Sequence, residues 1–544
     1  MKKLIYSLVI YIFTGSAYIN SQVNQDWVAR YNGTGNRNDV AQSVAVDNSG
    51  NVYVTGWSTN NLQYTEYTTI KYNSSGVQQW LQKYHGSFAD SSDFACAIVI
   101  DGSGNVYVTG KSFGLGTYYD FATVKYNSSG VQQWVARYNG PGNWNDVPLC
   151  ICVDNSQNIY VTGYSFGVGS DNDYTTIKYN SSGIEQWVQR YDGPDNGADA
   201  ATCIAIDVNG NVYVSGSSSN VQGSQYTTIK YNPAGSQIWA QRFNNGYGGN
   251  DRANAIAVDA SGNIYVTGES FSGINKDYAT IKYSSAGVQQ WVRRYNGLSN
   301  FDDEATTLSI DNSGNVYVSG WSLGIFDYPD LVTIKYNPSG DSLWVRRYTG
   351  SGFGVVNGAT SMAVDNSGNV YVTGYSTGNS LSNDYVTIKY STSGVQQWLQ
   401  RYNGPADSTD YPYSLAIDGS GNVYVTGQST GIGTLSDFAT IKYSQSIGIR
   451  KISSAIPGEY NLSQNYPNPF NPSTTIEFAL PKSSNVKLVV YNISGREVDV
   501  LVNEKLQAGS YKVDFNGSKL SSGAFFYKLI TDEYILSRKM ILIK

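Results

Sequence analysis

Carboxylates recur in this chain at a spacing that could hold a cation or move a proton. Seventeen residues before the closing glycine of a repeated ten-residue motif stand Asp39, Asp93, Asp146, Asp199, Asp251, Asp303, Asn357 and Asp410. An oxygen-rich ring of this kind suits Ca2+, and a pair such as Asp302 and Asp303 is what acid–base work on a glycan uses. Presence in every repeat, however, is what a turn cap or a bond to a neighbour's backbone requires. The ring is therefore expected to be structural, with Ca2+ as its functional alternative; no other cofactor is expected.

A second set follows the same glycines: Trp57, Lys111, Tyr164, Ser217, Glu269, Trp321, Tyr375 and Gln428, each preceding a serine. Aromatic side chains that differ between repeats at an exposed position are what sugar-ring stacking would use. Trp57, Tyr164, Trp321 and Tyr375, with Trp144 and Phe326 beside them, are the candidate ligand-binding residues. Nucleophilic catalysis has little to work with. Histidine occurs once, at His85, so a Ser-His-Asp arrangement has one residue to rest on. Cys96, Cys150, Cys152 and Cys203 align on one strand of their repeats, at positions elsewhere filled by small residues. They read as small buried thiols rather than disulfides or a zinc site.

The elements that position these residues come from the motif. DNSGNVYVTG at Asp47–Gly56 returns seven times, unchanged or in close variants, and the closing glycines lie 52 to 54 residues apart. A fixed period of this size marks a solenoid or propeller. Each repeat carries four strand signals, A to D: for example Asp93–Asp101, Asn105–Gly110, Asp120–Tyr126 and Val131–Tyr138. In D-x-S-G-N the Asp bonds backbone NH groups ahead of it and the Gly takes the left-handed position. Gln157 replaces that Gly once, so its turn is expected to be strained or differently built.

Counting strands suggests closure. Strand D carries Trp27, Trp80, Trp134, Trp187, Trp239, Trp291, Trp344 or Trp398, but the first of these precedes every A strand and the last C strand has no D after it. A ring whose N-terminal strand completes the eighth blade removes the free edges. The D-strand tryptophans then serve core or blade-to-blade packing. The D-x-x-G-N-V-Y-V-T-G repeat resembles the bacterial SBBP-type β-propeller repeat over residues 25 to about 443; the resemblance implies a fold and no shared activity. A glycine four residues before a tryptophan, as Gly76 before Trp80, is similar to the docking motif of eight-bladed quinoprotein dehydrogenases, whose vicinal cysteine pair is absent. The Asp-box turns of sialidases match less well.

Residues 444–459 read as a linker and 460–544 as a second domain of about seven short strands, an immunoglobulin-like sandwich. Its N-Y-P-N-P-F-N-P opening, Y-N-I-S-G-R-E-V hairpin, S-S-G-A-F-F-Y and K-M-I-L-I-K resemble the type A C-terminal sorting domain of type IX secretion substrates. That implies recognition of residues 460–544 by an outer-membrane translocon, then release or surface attachment. Residues 1–21 read as a secretory signal, with Lys2 and Lys3, an apolar run from Leu4 to Phe13 and cleavage after Ala17 or Ser21. No later run is long enough to span a bilayer, and a net charge of −6 gives no reason to expect nucleic acid.

The expected fold is thus all-β: an eight-bladed propeller over residues 22–443, closed by its N-terminal strand, followed by a small immunoglobulin-like sandwich. Tight A–B and C–D turns share one face of a blade; long, divergent D–A and B–C loops share the other. The expected function is a monomeric, exported, non-enzymatic scaffold that binds a surface glycan or protein on the loop face. The alternative is a glycan-active hydrolase or lyase with a carboxylate site in the axial funnel.

Overall fold

The structure, a computed structural model, describes residues 23–86, 91–243, 245–324, 327–350, 354–378, 382–445, 450–453, 455–517 and 520–543. The expected signal segment and Phe326 lie outside the described residues. Among the described residues the regular structure is all β, forty strands in ten four-stranded sheets. No helix there is long and apolar enough to cross a membrane. The chain divides into one unit of residues 24–444 and a second that includes residues 445–544.

Eight of the sheets belong to the first unit. Seven are built from consecutive A–B–C–D runs such as Asp39–Val46, Val52–Thr59, Thr65–Tyr72 and Gln78–Tyr84. The eighth takes Asp410–Ile417, Val423–Thr430 and Ser436–Gln445 from one end of the unit and Val23–Tyr31 from the other. First strands of successive sheets pack side by side, and Asp39–Val46 also packs against Asp410–Ile417. Each A strand is bulged near its fourth residue, and a bulge bends a strand and re-aims its side chain. The re-aimed side chains reach the next sheet's backbone: Thr202 Oγ1 donates to the Ala253 carbonyl at 2.6 Å and Thr306 Oγ1 to the Ala359 carbonyl at 2.8 Å.

The motif builds its turn as its residue types require. Asp47 Oδ1 accepts from the Ser49 and Asn51 amides at 2.9 Å, while its Oδ2 accepts from Asn51 Nδ2 at 2.7 Å and the Tyr53 hydroxyl at 3.1 Å. The same four bonds recur at Asp418. Gln157 keeps the turn, its amide 2.9 Å from the Asp154 carbonyl, by adopting a left-handed φ of 62°. The strain reading holds, and the alternative of a rebuilt turn does not.

Tryptophan joins the sheets. A Cβ on Gly76 would lie 2.7 Å from the Trp27 ring, and one on Gly130 the same distance from Trp80. Seven of the eight D-strand rings, all but Trp398, thus lie on the C–D glycine of the following sheet, with Trp80 Nε1 donating to the Ser128 carbonyl at 3.2 Å. The glycine four residues before a tryptophan seats its neighbour's ring rather than its own. These glycines also sit at φ near 80°, where other residues are strained.

The second unit holds two four-stranded sheets around one apolar core that includes Phe470, Ile476, Phe478, Leu488, Tyr527 and Met540. Arg450–Ser453, expected to be linker, forms an edge strand paired with Gly509–Asn516. The opening segment is tied into the core: the Asn465 amide donates to the Tyr527 hydroxyl at 2.8 Å, and that hydroxyl donates to the Ser463 carbonyl at 2.8 Å. Phe470 exchanges backbone bonds of 2.9 Å with Ile541 and Ile543 at the C-terminal strand.

Candidate functional site

The acidic ring is buried. Asp39, Asp93, Asp146, Asp199, Asn357 and Asp410 are 0% exposed, and Asp251 and Asp303 are 1% exposed. Most of its oxygens face backbone amides, while Asp146 Oδ1 and Asp303 Oδ1 are buried without a hydrogen-bond partner. Asp93 Oδ2 accepts from the Gly86 amide at 2.7 Å and Oδ1 from the Phe113 amide at 2.9 Å, latching the D–A loop to the end of strand B. Asp39 accepts likewise from Gly33 and Thr59, Asp199 from Gly193 and Ser219, and Asp410 from Gly404 and Thr430. Asp146 and Asp303 hold Gly140 and Gly297, Asp251 holds Phe271, and Asn357 instead donates to the Pro329 carbonyl. Burial pushes Asp39 up to about 6 and raises Asp93, Asp146, Asp199, Asp251, Asp303 and Asp410 as well. Asp302 is also engaged, accepting from the Lys276 amide at 2.9 Å.

The residues after the motif glycines are half-buried wedges between sheets. Trp57 meets Phe94 of the next sheet edge-on at 5.5 Å, and Tyr375 stacks on Tyr411 of the next sheet at 4.6 Å. A Cβ on Gly358 would lie 2.6 Å from the Tyr375 hydroxyl, so that glycine makes room for the ring. Trp321 donates from Nε1 to Glu304 Oε2 at 3.2 Å, and burial raises Tyr164. Trp144 alone of the described candidates stands well out, 45% exposed, its ring 4.0 Å from that of Tyr118. Tyr118 is equally exposed and holds a φ of 56°, unusual for a bulky side chain.

Two features escaped the reading of the residues. One is a set of aliphatic side chains at B–C loop tips: Leu62, Leu115, Val168, Val221, Ile274 and Ile432, 62 to 89% exposed. The corresponding loops of the sixth and seventh repeats contain residues outside the described ones. The first five tips are spaced by 53 residues and flanked by Gly, Asn or Ser, a signal present in the sequence. Exposed Tyr247, Leu298 and Phe301 share the face from the D–A loops. The opposite face also exposes an aliphatic after its C–D glycine, at Val77, Val131, Ile184 and Val288, but in a nearly constant sequence. The other feature is a polar lattice. Arg137 of strand D donates to Ser112 Oγ at 2.6 Å, Asp120 Oδ2 at 2.8 Å and the preceding sheet's Tyr84 hydroxyl at 3.2 Å. All four cysteines are free thiols.

Comparison with known proteins fits this geometry. The Beta-propeller repeat model matches residues 26–63, 238–274, 290–327, 344–382 and 397–433, and the Secretion system C-terminal sorting domain model matches residues 464–544. The WD repeat-containing protein L264 of Acanthamoeba polyphaga mimivirus is 24% identical over 483 residues, which is 72% of this chain and 33% of that protein. The chain thus spans about a third of the curated relative it matches. Among solved structures, PorZ, a surface component of the type-IX secretion system of Porphyromonas gingivalis, is 13% identical with a TM-score of 0.28, covering 92% of this chain and 74% of PorZ. Polysaccharide lyase Uly1 is 11% identical with a TM-score of 0.42, covering 79% and 94%. At such scores neither structural likeness carries an argument. The repeat and tail matches do: the chain carries Beta-propeller repeats and a secretion-system C-terminal sorting domain, and that tail indicates export via type IX secretion to the cell surface or extracellular space.

Proposed function

We propose that the protein is a non-enzymatic binding scaffold whose B–C and D–A loop face takes a surface glycan or protein. The reading has three parts. The eight sheets of residues 24–444 are the blades of one propeller, closed by Val23–Tyr31, and the second unit is an immunoglobulin-like sandwich that the secretion machinery reads. The ring carboxylates are scaffold, since their oxygens hold loop amides. Ligand contact falls to the exposed tips and to the Tyr118–Trp144 pair.

The observation that carries the reading is the recurrence of exposed aliphatic and aromatic side chains on the divergent loops. One exposed aliphatic is ordinary on a protein surface. The same position exposed in six repeats, in loops that otherwise share little sequence, is what a presented surface needs. Binding of the purified protein to cell-surface polysaccharide and to protein extracts, compared with a Leu115→Ser, Trp144→Ala variant, tests it. The reading expects at least tenfold weaker binding at unchanged melting temperature. Equal binding by the variant contradicts it.

A further inference from the structure

One junction carries an acid where the others carry Asn, His or Thr. The residue after the last aromatic of strand D is Asn in five repeats, His85 and Thr349 in two more. Among the described residues Asn32, Asn139, Asn296 and Asn403 donate from Nδ2 to the residue four positions on, 2.7 Å to Asn36, 2.7 Å to Asn143, 2.5 Å to Asn300 and 2.6 Å to Asp407. Between the third and fourth sheets the position is Asp192, which has no N–H to give, although Asn196 keeps the left-handed φ of 51° that the other loops show. A turn bond is surrendered and a negative charge is set beside two others. His85 and Thr349 also replace the Asn, but only Asp192 brings a negative charge to the position.

The consequence is a convergence of carboxylates. One oxygen each from Asp173, Asp192 and Asp199 lies within 4.8 Å of the others. Asp173 and Asp199 are 4% and 0% exposed, while Asp192 opens the cluster to solvent. Arg190 neutralises one charge through Asp173 Oδ2 at 2.5 Å. Asp173 Oδ1 is buried and has no hydrogen-bond partner, which is costly for a carboxylate oxygen. Asp199 accepts the Gly193 and Ser219 amides, one on each oxygen, and a further bond from the Ser218 side chain. Orphan oxygens also occur at Asp120, Asp146, Asp277, Asp303, Asp384 and Asp437; what this junction adds is the third carboxylate.

We propose that Asp173, Asp192 and Asp199 form a Ca2+ site that pins the D–A loop between the third and fourth sheets. Hard cations take carboxylate oxygens, and Ca2+ tolerates an irregular shell completed by water at an open side. The ion would satisfy the orphaned Asp173 oxygen and replace the turn bond that Asp192 gives up. The site lies apart from Tyr118 and Trp144 in sequence, so its failure leaves the loop-face reading standing.

Calorimetric titration of CaCl2 into the chelator-treated full chain tests this, alongside the Asp192→Asn variant. Asparagine is the residue five of the other repeats carry, and circular dichroism verifies the variant's fold. The expected result is one binding event with a rise in melting temperature in the wild type, at least tenfold weaker in the variant. Asp192→Ala should repeat that loss. No Ca2+-dependent heat or melting shift in the wild type up to about 10 mM, beyond the ~1 mM range of extracellular Ca2+ modules, overturns the site, as does equal binding by both proteins.

Discussion

Arg30 reaches Asp437, 407 residues away in sequence, at 2.8 Å. It also donates to Ser429 Oγ at 2.5 Å and to the Tyr402 hydroxyl at 3.0 Å. These are the partners that Arg137 finds in Asp120, Ser112 and Tyr84. The N-terminal strand thus makes, with strands from the far end of the unit, the bonds that strand D makes elsewhere with its own repeat and the sheet before it.

Arg30→Ala should destabilise the protein strongly. Asp437 is 8% exposed and would keep an uncompensated charge; breaking such a pair costs on the order of 3 kcal/mol. Urea unfolding measures it. Removing residues 22–32 should leave the edge of Ser436–Gln445 open and cause aggregation; a monomeric, equally stable product would speak against closure.

The tryptophan seats predict an asymmetry between glycines. Gly130→Ala forces a side chain into φ 84° and against the Trp80 ring at 2.7 Å, so it should cost about 2–3 kcal/mol. Gly102→Ala, with nothing within 4 Å, should change stability little. Thermal melts of the two variants separate the effects, and similar melting points would refute the seat.

Acidification should favour the wild type over Asp39→Asn. Burial lifts the Asp39 carboxyl to about 6 in the folded protein, against roughly 3.9 in an unfolded chain. A raised carboxyl binds its proton more tightly when folded, so its contribution is fully present below pH ~4 and is lost as pH rises through about 6. The melting-temperature difference, wild type minus variant, should therefore grow as pH falls from 7 to 4. A flat difference would contradict the burial argument.

Cutting the chain after residue 459 should leave the first unit folded and keep it from reaching the cell surface. Fractionation and surface labelling of cells expressing both forms check this; equal surface display would sink the sorting role of residues 460–544. Tyr527→Phe tests the same domain's interior, since it frees the Asn465 amide and the Ser463 carbonyl from the hydroxyl they share, at about 1–3 kcal/mol.

Much of the fold was legible because the repeat states each strand eight times. Asp47, Gly50 and Asn51 announce a turn through local bonds alone. The pairing of Trp27 with Gly76 could be read only as inter-blade packing, because its direction depends on sheet-to-sheet geometry. The site was less legible. Trp57, Trp321 and Tyr375 looked exposed from their position beside variable loops, yet each is turned against a side chain of its own or the next sheet. The acids at 39, 93 and 410 read as structural from their presence in every repeat, but the particular amides they hold, at Gly33, Gly86 and Gly404, leave no mark in side-chain sequence. Leu62, Leu115 and Val168 were in plain view and passed over, since an aliphatic residue signals core until a structure exposes it.

The division between holding turns and presenting loops is tested most directly by hydrogen–deuterium exchange with and without extracted surface polysaccharide or protein. The account predicts new protection in the loops carrying Leu62, Leu115, Tyr118, Trp144, Val168 and Val221, with none in the turns at Asp47, Asp101 and Asp154. Protection confined to those Asp turns would contradict it.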